Sequence, residues 1–224
     1  MTKEQFAAAK AAMQTYMPQD VHDTGHVMRV LYAAVRIAKT LPGANMDVVI
    51  LAALLHDIGR GAEDDAQKTG HAELGAHMAY GWLQKQGYSE ETAAHVQACI
   101  CTHSYKGGQR PQSLEAEIVF DADKLDLSGA VGCGRALLFG AQIGEPWYRT
   151  GPDGQPGPGE KGRHSLLREY HRKLKDLHNV FFTQKARQMA KKRQETMDAW
   201  FQALEKEIYT GYNKGEKILE EVLG

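Results

Sequence analysis

Cysteine is scarce: Cys99, Cys101 and Cys133 are the three in a chain of 224 residues. An odd count with no scaffold spacing argues against a disulfide framework. Cys99 and Cys101 fall on one predicted helix, where positions two apart do not face each other. That argues against a zinc knuckle and for three small buried residues. An excess of one charge is also lacking, with a net charge of -1. There is thus no broad electrostatic case for polymeric nucleic acid or an anionic membrane. No apolar run reaches the roughly 20 residues that cross a bilayer. The opening segment, MTKEQFAAAKAAMQ, has neither the apolar core nor the cleavage site of a signal peptide. The expectation is a cytoplasmic protein, monomer or homodimer. No internal repeat is present, and no strand-like alternation of any length.

What is present is an ordinary globular composition, 42% hydrophobic and 25% charged, with enough chain for a sizeable core. The patterning is helical nearly throughout. Residues 3–16 predict a short amphipathic helix. Over residues 22–40, Val27, Val30, Leu31, Ala34, Val35 and Ala38 recur at helical spacing. LPGAN then breaks the chain, and Asn45 can cap the next helix. That helix, MDVVILAALLHDIG, is apolar on every side, which predicts burial in the middle of the domain. GRGAEDDAQKTG reads as a loop. Two further helices, 71–86 and 90–104, flank QGYS, with Gly87 as C-cap and Ser89 as N-cap. SLEAEIVFDADKLD predicts another, and residues 128–149 are Gly-rich and ambiguous.

The strongest breaker is TGPDGQPGPGEKG, residues 150–162, a long flexible Gly/Pro loop. Beyond it, residues 164–179 and 183–209 predict long charged helices, with an apolar stripe at Leu166, Leu167, Leu174 and Leu177. The expected organisation is a helical core over 1–149, the flexible loop 150–163, and C-terminal helices over 164–224 packed on the core.

The chemistry sits where apolar helices end. An ionised Asp is costly to bury unless it is paired or bound to a metal. His56 and Asp57 stand at the end of the most apolar helix. Asp123 follows another apolar run, EIVF, and His26 lies at the edge of the apolar face of helix 22–40. A single His-Asp dipeptide means little, and His56 alone fits a satisfied core histidine. The joint pattern on three apolar helices is much harder to explain by packing. Two imidazoles and two carboxylates suit Mn, Fe, Co, Ni or Zn better than Ca.

The order His26, His56-Asp57, Asp123 resembles the HD-domain metal-dependent phosphohydrolases. HDTGHVMRV is similar to the family's first motif and LLHDIG to its second. HAELGA and THS resemble two auxiliary histidine motifs. DADKLDLSGAVGCGRALLFG and the segment 168–207 resemble a bacterial branch of stand-alone HD proteins that includes nucleotide pyrophosphohydrolases. The resemblance spans about residues 3–208. It implies an all-α HD-domain helical bundle with a C-terminal helical extension.

The resemblance further implies His26, His56, Asp57 and Asp123 as ligands of one divalent transition metal ion. Mn2+ is favoured, with Fe, Co, Ni, Zn or Mg as alternatives. His71 and His103 match positions that hold a second metal with a bridging Asp57 in binuclear relatives and face substrate phosphate in mononuclear ones. The expected activity is hydrolysis of a small phosphorylated substrate, a nucleoside triphosphate giving monophosphate and pyrophosphate. The alternatives are a phosphodiesterase or phosphomonoesterase, and a regulatory module that binds metal and nucleotide without turnover.

Catalytic roles are expected for Asp57, His71 and His103. Glu63 and Asp64, in the loop after Asp57, are acid/base candidates and equally plausible as solvated loop residues. Arg29, Arg60, Lys124 and Arg135 are the candidate cations for substrate phosphate. His22 and Asp23 could orient a ligand, with helix capping an equal reading for Asp23. His77 and His95 read as ordinary helix residues. His164, His171 and His178 recur every seven residues within a strongly basic segment, so a solvated face outweighs a metal stripe. Trp147, Tyr148 and Arg149, beside the Gly/Pro loop, could stack on a base and hold a phosphate, making that loop either a lid or a tether.

Overall fold

A computed structural model describes residues 1–17, 24–62, 70–104, 109–160 and 162–224. The chain divides into two compact units, residues 1–126 with 181–187, and residues 127–180 with 188–224. The fold is all-α, and no helix is long and apolar enough to cross a membrane among the described residues.

The first unit starts with α1, Lys3–Tyr16, closed by a capping box in which Thr2 and Gln5 exchange hydrogen bonds. α2, Thr24–Ala38, buries Val27, Val30, Leu31, Ala34 and Ile37 along one stripe, as the helical spacing requires. α3, Met46–Leu55, is capped by the Asn45 side chain, which accepts from the backbone N–H of Asp47 and Val48. Every residue of α3 from Val48 to Leu55 except Ile50 is buried. It packs against α1 and α2, and against α5 and α6, which explains its lack of a polar face.

α4, His71–Lys85, and α5, Glu90–Cys101, form an antiparallel-type hairpin closed by Gly87, whose φ of +79° suits only glycine well. Ser89 caps α5 by accepting from the N–H of Thr92. α6, Leu114–Leu125, is capped by Ser113 and buries most of its length. Its Asp121 is fully buried and accepts from the N–H of Phe182, the N–H of Thr183 and the Thr183 hydroxyl.

One glycine contact positions the site. A Cβ on Gly59 would lie 2.4 Å from the carbonyl oxygen of His71 and 2.5 Å from the N of Gly75. Only glycine lets the turn after α3 press against the first turn of α4. This approach brings His56 and Asp57 to the level of His71.

In the second unit, α7 runs over Gly129–Gln142, resolving the ambiguous Gly-rich segment as helix. The Gly/Pro loop closes a minimal antiparallel pair, β1 (Arg149–Thr150) with β2 (Pro156–Gly157). Pro156 is buried and Gly154 turns the chain at φ +77°. The predicted helix 164–179 breaks at Lys173 into α8, Leu166–Arg172, and a 3-10 helix, Leu174–Asn179. α9 covers Gln184–Leu223, with its first residues in the first unit. Leu166, Leu167 and Leu174, from the predicted stripe, pack with Tyr170, Met197 and Phe201. The Tyr170 and Phe201 rings stack at 4.0 Å, and the Tyr170 hydroxyl donates to Asp198.

Candidate metal centre

Five helices of the first unit, α2 to α6, deliver histidines and carboxylates to one buried point. His26, at the start of α2, is 0% exposed, as are His56 and Asp57 in the turn that ends α3. His71 opens α4 and His103 follows α5, both buried. Asp123 comes from α6 with a side chain 13% exposed.

The ring nitrogens can be assigned from their partners. Nδ1 of His56 lies 2.9 Å from the carbonyl oxygen of Ala53, and Nδ1 of His103 lies 2.6 Å from that of Ile100. A carbonyl oxygen only accepts, so both Nδ1 atoms carry the proton. Nδ1 of His26 lies 2.8 Å from Oδ2 of Asp126, a carboxylate also held by Arg29, and donates to it. In the neutral rings, each Nε2 is therefore a lone pair.

These lone pairs converge. Nε2 of His26 and Nε2 of His56 are 3.3 Å apart. Oδ2 of Asp57 is 3.5 Å from both, and Oδ1 of Asp123 is 3.5 Å from His26 and 4.0 Å from His56. Nε2 of His103 is buried with no hydrogen-bond partner among the described residues and stands 3.4 Å from Oδ1 of Asp57. Acceptors so close together need a proton or a cation among them. Burial pulls the His56 imidazolium down, but Asp57 and Asp123 more than offset it and raise its pKa. Burial likewise works against the Asp123 carboxylate, yet Lys124 and the three nearby histidines hold it well below its usual range. Burial dominates at His103 and lowers its pKa, which keeps that ring neutral.

The residues present fit a metal. His26, His56 and Asp123 offer donor atoms within 4.8 Å of one another, and so do His56, Asp57 and His103. A mixed nitrogen and oxygen set matches a divalent transition ion.

The cations predicted from sequence are placed variously. Arg60 puts Nε 2.7 Å from Oδ2 of Asp57. Arg29, with a side chain 43% exposed, grips Asp126. Lys124 is buried between Asp123 and the His103 carbonyl. Arg135 lies on α7 in the second unit, buried. Glu63 and Asp64 lie outside the described residues, as do His22 and Asp23. Nδ1 of His77 donates to the Glu73 carbonyl, and His95 meets Ser113 and Glu115. His171 pairs with Glu205 and His164 with Glu145, and the seven-residue histidine recurrence forms no metal-type group among the described residues. Trp147 is exposed, Tyr148 meets the hydroxyl of Tyr212, and Arg149 donates to the His164 carbonyl.

Asp126 is not among the site residues that the sequence predicts. Its signal in the sequence is a further carboxylate one turn beyond Asp123, in DADKLD.

The HD domain family matches residues 24–128, which span His26, His56, Asp57 and Asp123. The chain is 30% identical over 191 residues to the uncharacterized protein YpgQ of Bacillus subtilis, covering 84% of each chain. The crystal structure of Bacillus subtilis YpgQ in complex with ADP matches with a TM-score of 0.72 at 29% identity, over 91% of this chain and 98% of that one. An HD-superfamily hydrolase from Bacillus thuringiensis matches with a TM-score of 0.68 at 26% identity, over 92% and 97%. A buried centre of histidines and carboxylates, set on helices in the family's order, joins these likenesses: the chain belongs to the HD-domain family of metal-dependent phosphohydrolases.

Proposed function

We propose that this chain hydrolyses nucleoside triphosphates to the monophosphate and pyrophosphate, using one divalent ion, Mn2+ in the first place, held by His26, His56, Asp57 and Asp123. The observation that carries the ion assignment is the 3.3 Å meeting of two imidazole lone pairs beside two carboxylates. The nucleotide is supported by the likeness to YpgQ, a protein crystallised with ADP. When bound, such an ion lowers the pKa of a water and offsets charge on a phosphate oxygen.

The chain's own residues supply the rest. His56 holds its tautomer through Ala53, so its Nε2 points inward without rearrangement. Arg60 brings a guanidinium to Oδ2 of Asp57. That fixed positive charge favours one tightly held ion over two. His71 and His103 face the other oxygen of Asp57, at 3.8 Å and 3.4 Å, and we assign them to the substrate side. Anchored on Ile100, His103 offers Nε2 as the atom that hydrogen-bonds the attacking water. The water oxygen bonds to the α-phosphorus as one of its protons passes to Nε2 of His103, the bond from that phosphorus to the bridging oxygen breaks, and pyrophosphate leaves with that electron pair. Arg29 and Arg60 are the guanidinium groups best placed to balance phosphate charge in the first unit.

The test is a nucleotide panel incubated with the Mn2+-supplied chain and read by phosphorus NMR. Monophosphate with pyrophosphate is the expected product pair. Inorganic phosphate would replace this reading with a phosphomonoesterase. Tight nucleotide binding with no product would replace it with a regulatory module.

A further inference from the structure

Asp126 closes α6 and is 3% exposed. Its Oδ2 accepts from Nδ1 of His26 at 2.8 Å and from a terminal nitrogen of Arg29 at 2.9 Å, while its Oδ1 accepts from Nε of Arg29 at 2.7 Å. The carboxylate is thus forked onto a guanidinium and leaned on an imidazole 100 positions away in the chain. A paired guanidinium keeps a buried carboxylate ionised and fixes its plane. An ionised carboxylate at Nδ1 in turn fixes which nitrogen of His26 carries the proton.

We infer that Asp126 is a positioning residue, locked by Arg29, that holds His26 as the Nδ1–H tautomer with Nε2 bare toward the metal centre. The inference rests on the assignment of His26 as a ligand. It also gives Arg29 a task other than meeting phosphate. Free imidazole exchanges its proton between the two nitrogens. Either Nε2–H or a rotated ring would remove one of the two nitrogen donors that meet at 3.3 Å. A carboxylate behind a ligating histidine characteristically changes metal affinity by about 10- to 100-fold.

Asp126→Ala removes the acceptor. Asp126→Asn keeps its size, but an amide has one oxygen and must oppose an N–H to either Arg29 or His26. Arg29→Gln removes the lock and leaves Asp126 in place. Isotope-labelled histidine in the metal-free full chain reads the His26 tautomer by NMR, and calorimetric titration with Mn2+ reads affinity. The wild type should show Nδ1–H at His26. Both Asp126 variants should mix in Nε2–H and bind Mn2+ about 10- to 100-fold more weakly. Arg29→Gln should move both readings in the same direction by less. A wild-type tautomer and affinity in Asp126→Asn and Asp126→Ala would overturn the inference. A raised KM in Arg29→Gln, with tautomer and affinity unchanged, would overturn the lock and leave Arg29 a substrate cation. His26→Ala separates the two levels: if it leaves Mn2+ affinity intact, the ligand assignment has failed, whatever the tautomer signal reports. Should Asp126→Ala not fold, Asp126→Asn and Arg29→Gln give the same readings.

Discussion

Nζ of Lys124 lies 2.6 Å from Oδ2 of Asp123, its neighbour in the chain, and 2.9 Å from the carbonyl oxygen of His103. The ammonium ties α6 to the turn after α5 and occupies one oxygen of Asp123. The other oxygen is left facing His26 and His56. Lys124 thereby orients a carboxylate within the centre.

Breaking that pair should cost stability in a metal-dependent way. Lys124→Met keeps length and apolar packing but strands the carboxylate. The loss should be about 3 kcal/mol without metal, the lower end for a broken buried pair, and clearly less with Mn2+ present. Denaturant unfolding with and without Mn2+ reads both values. Equal losses in the two conditions would show that Asp123 gains no cation from solution.

Chelation should lower the melting temperature of protein purified with metal. Ligand at 100 times its Kd adds about 2.7 kcal/mol to the folded state. Restoring Mn2+ to the chelated protein should bring the transition back, and Ca2+ should do so poorly because the donor set includes nitrogen. A melting temperature indifferent to chelator and to Mn2+ counts against a metal centre at these residues.

Asp57→Ala should lower kcat/KM by at least about 1000-fold, or ~4 kcal/mol of transition-state stabilisation, and should strip most of the metal. The fold should survive, as circular dichroism would show. Full metal occupancy with full turnover in this variant would remove Asp57 from the centre.

His71→Ala and His103→Ala should slow turnover more than they weaken the first metal. Both face Oδ1 of Asp57, whereas its Oδ2 faces His26 and His56. Metal stoichiometry and steady-state kinetics on the same preparations decide it. If either variant loses metal as completely as His56→Ala, these histidines are ligands and a second ion belongs at Asp57.

Gly59→Ala should destabilise by about 1–3 kcal/mol through overpacking. Its Cβ would sit 2.4 Å from the His71 carbonyl, so α4 must shift and carry His71 with it. Gly81→Ala, on α4 with nothing within 4 Å of the new methyl among the described residues, should stabilise by about 0.5–1 kcal/mol. Chemical denaturation of the two variants side by side checks the contrast.

Local chemistry made much of this protein legible from its sequence. Helical spacing and capping residues placed α1 at Lys3–Tyr16 and marked Asn45, Ser89 and Gly87 at helix ends, because each depends on contacts within a few residues. The uniformly apolar α3 announced its central place, and the polar pair His56-Asp57 at its end announced chemistry. The break at Lys173 carries no signal in the sequence, since the stripe of leucines continues through it.

Tertiary structure decided what those residues meet. His26 and Asp126 are 100 residues apart, and no periodicity links them; only the packing of α2 on α6 closes the distance to 2.8 Å. Lys124 reads along the chain as a candidate cation for substrate phosphate beside Asp123, and burial makes it part of the centre's scaffold. The approach of Gly59 to the His71 carbonyl likewise depends on two helices pressed together. Residue types and local spacing are written along the chain and determine which donors exist. Their hydrogen-bond partners, tautomers and charges depend on distances across the core, and those follow from how the helices pack.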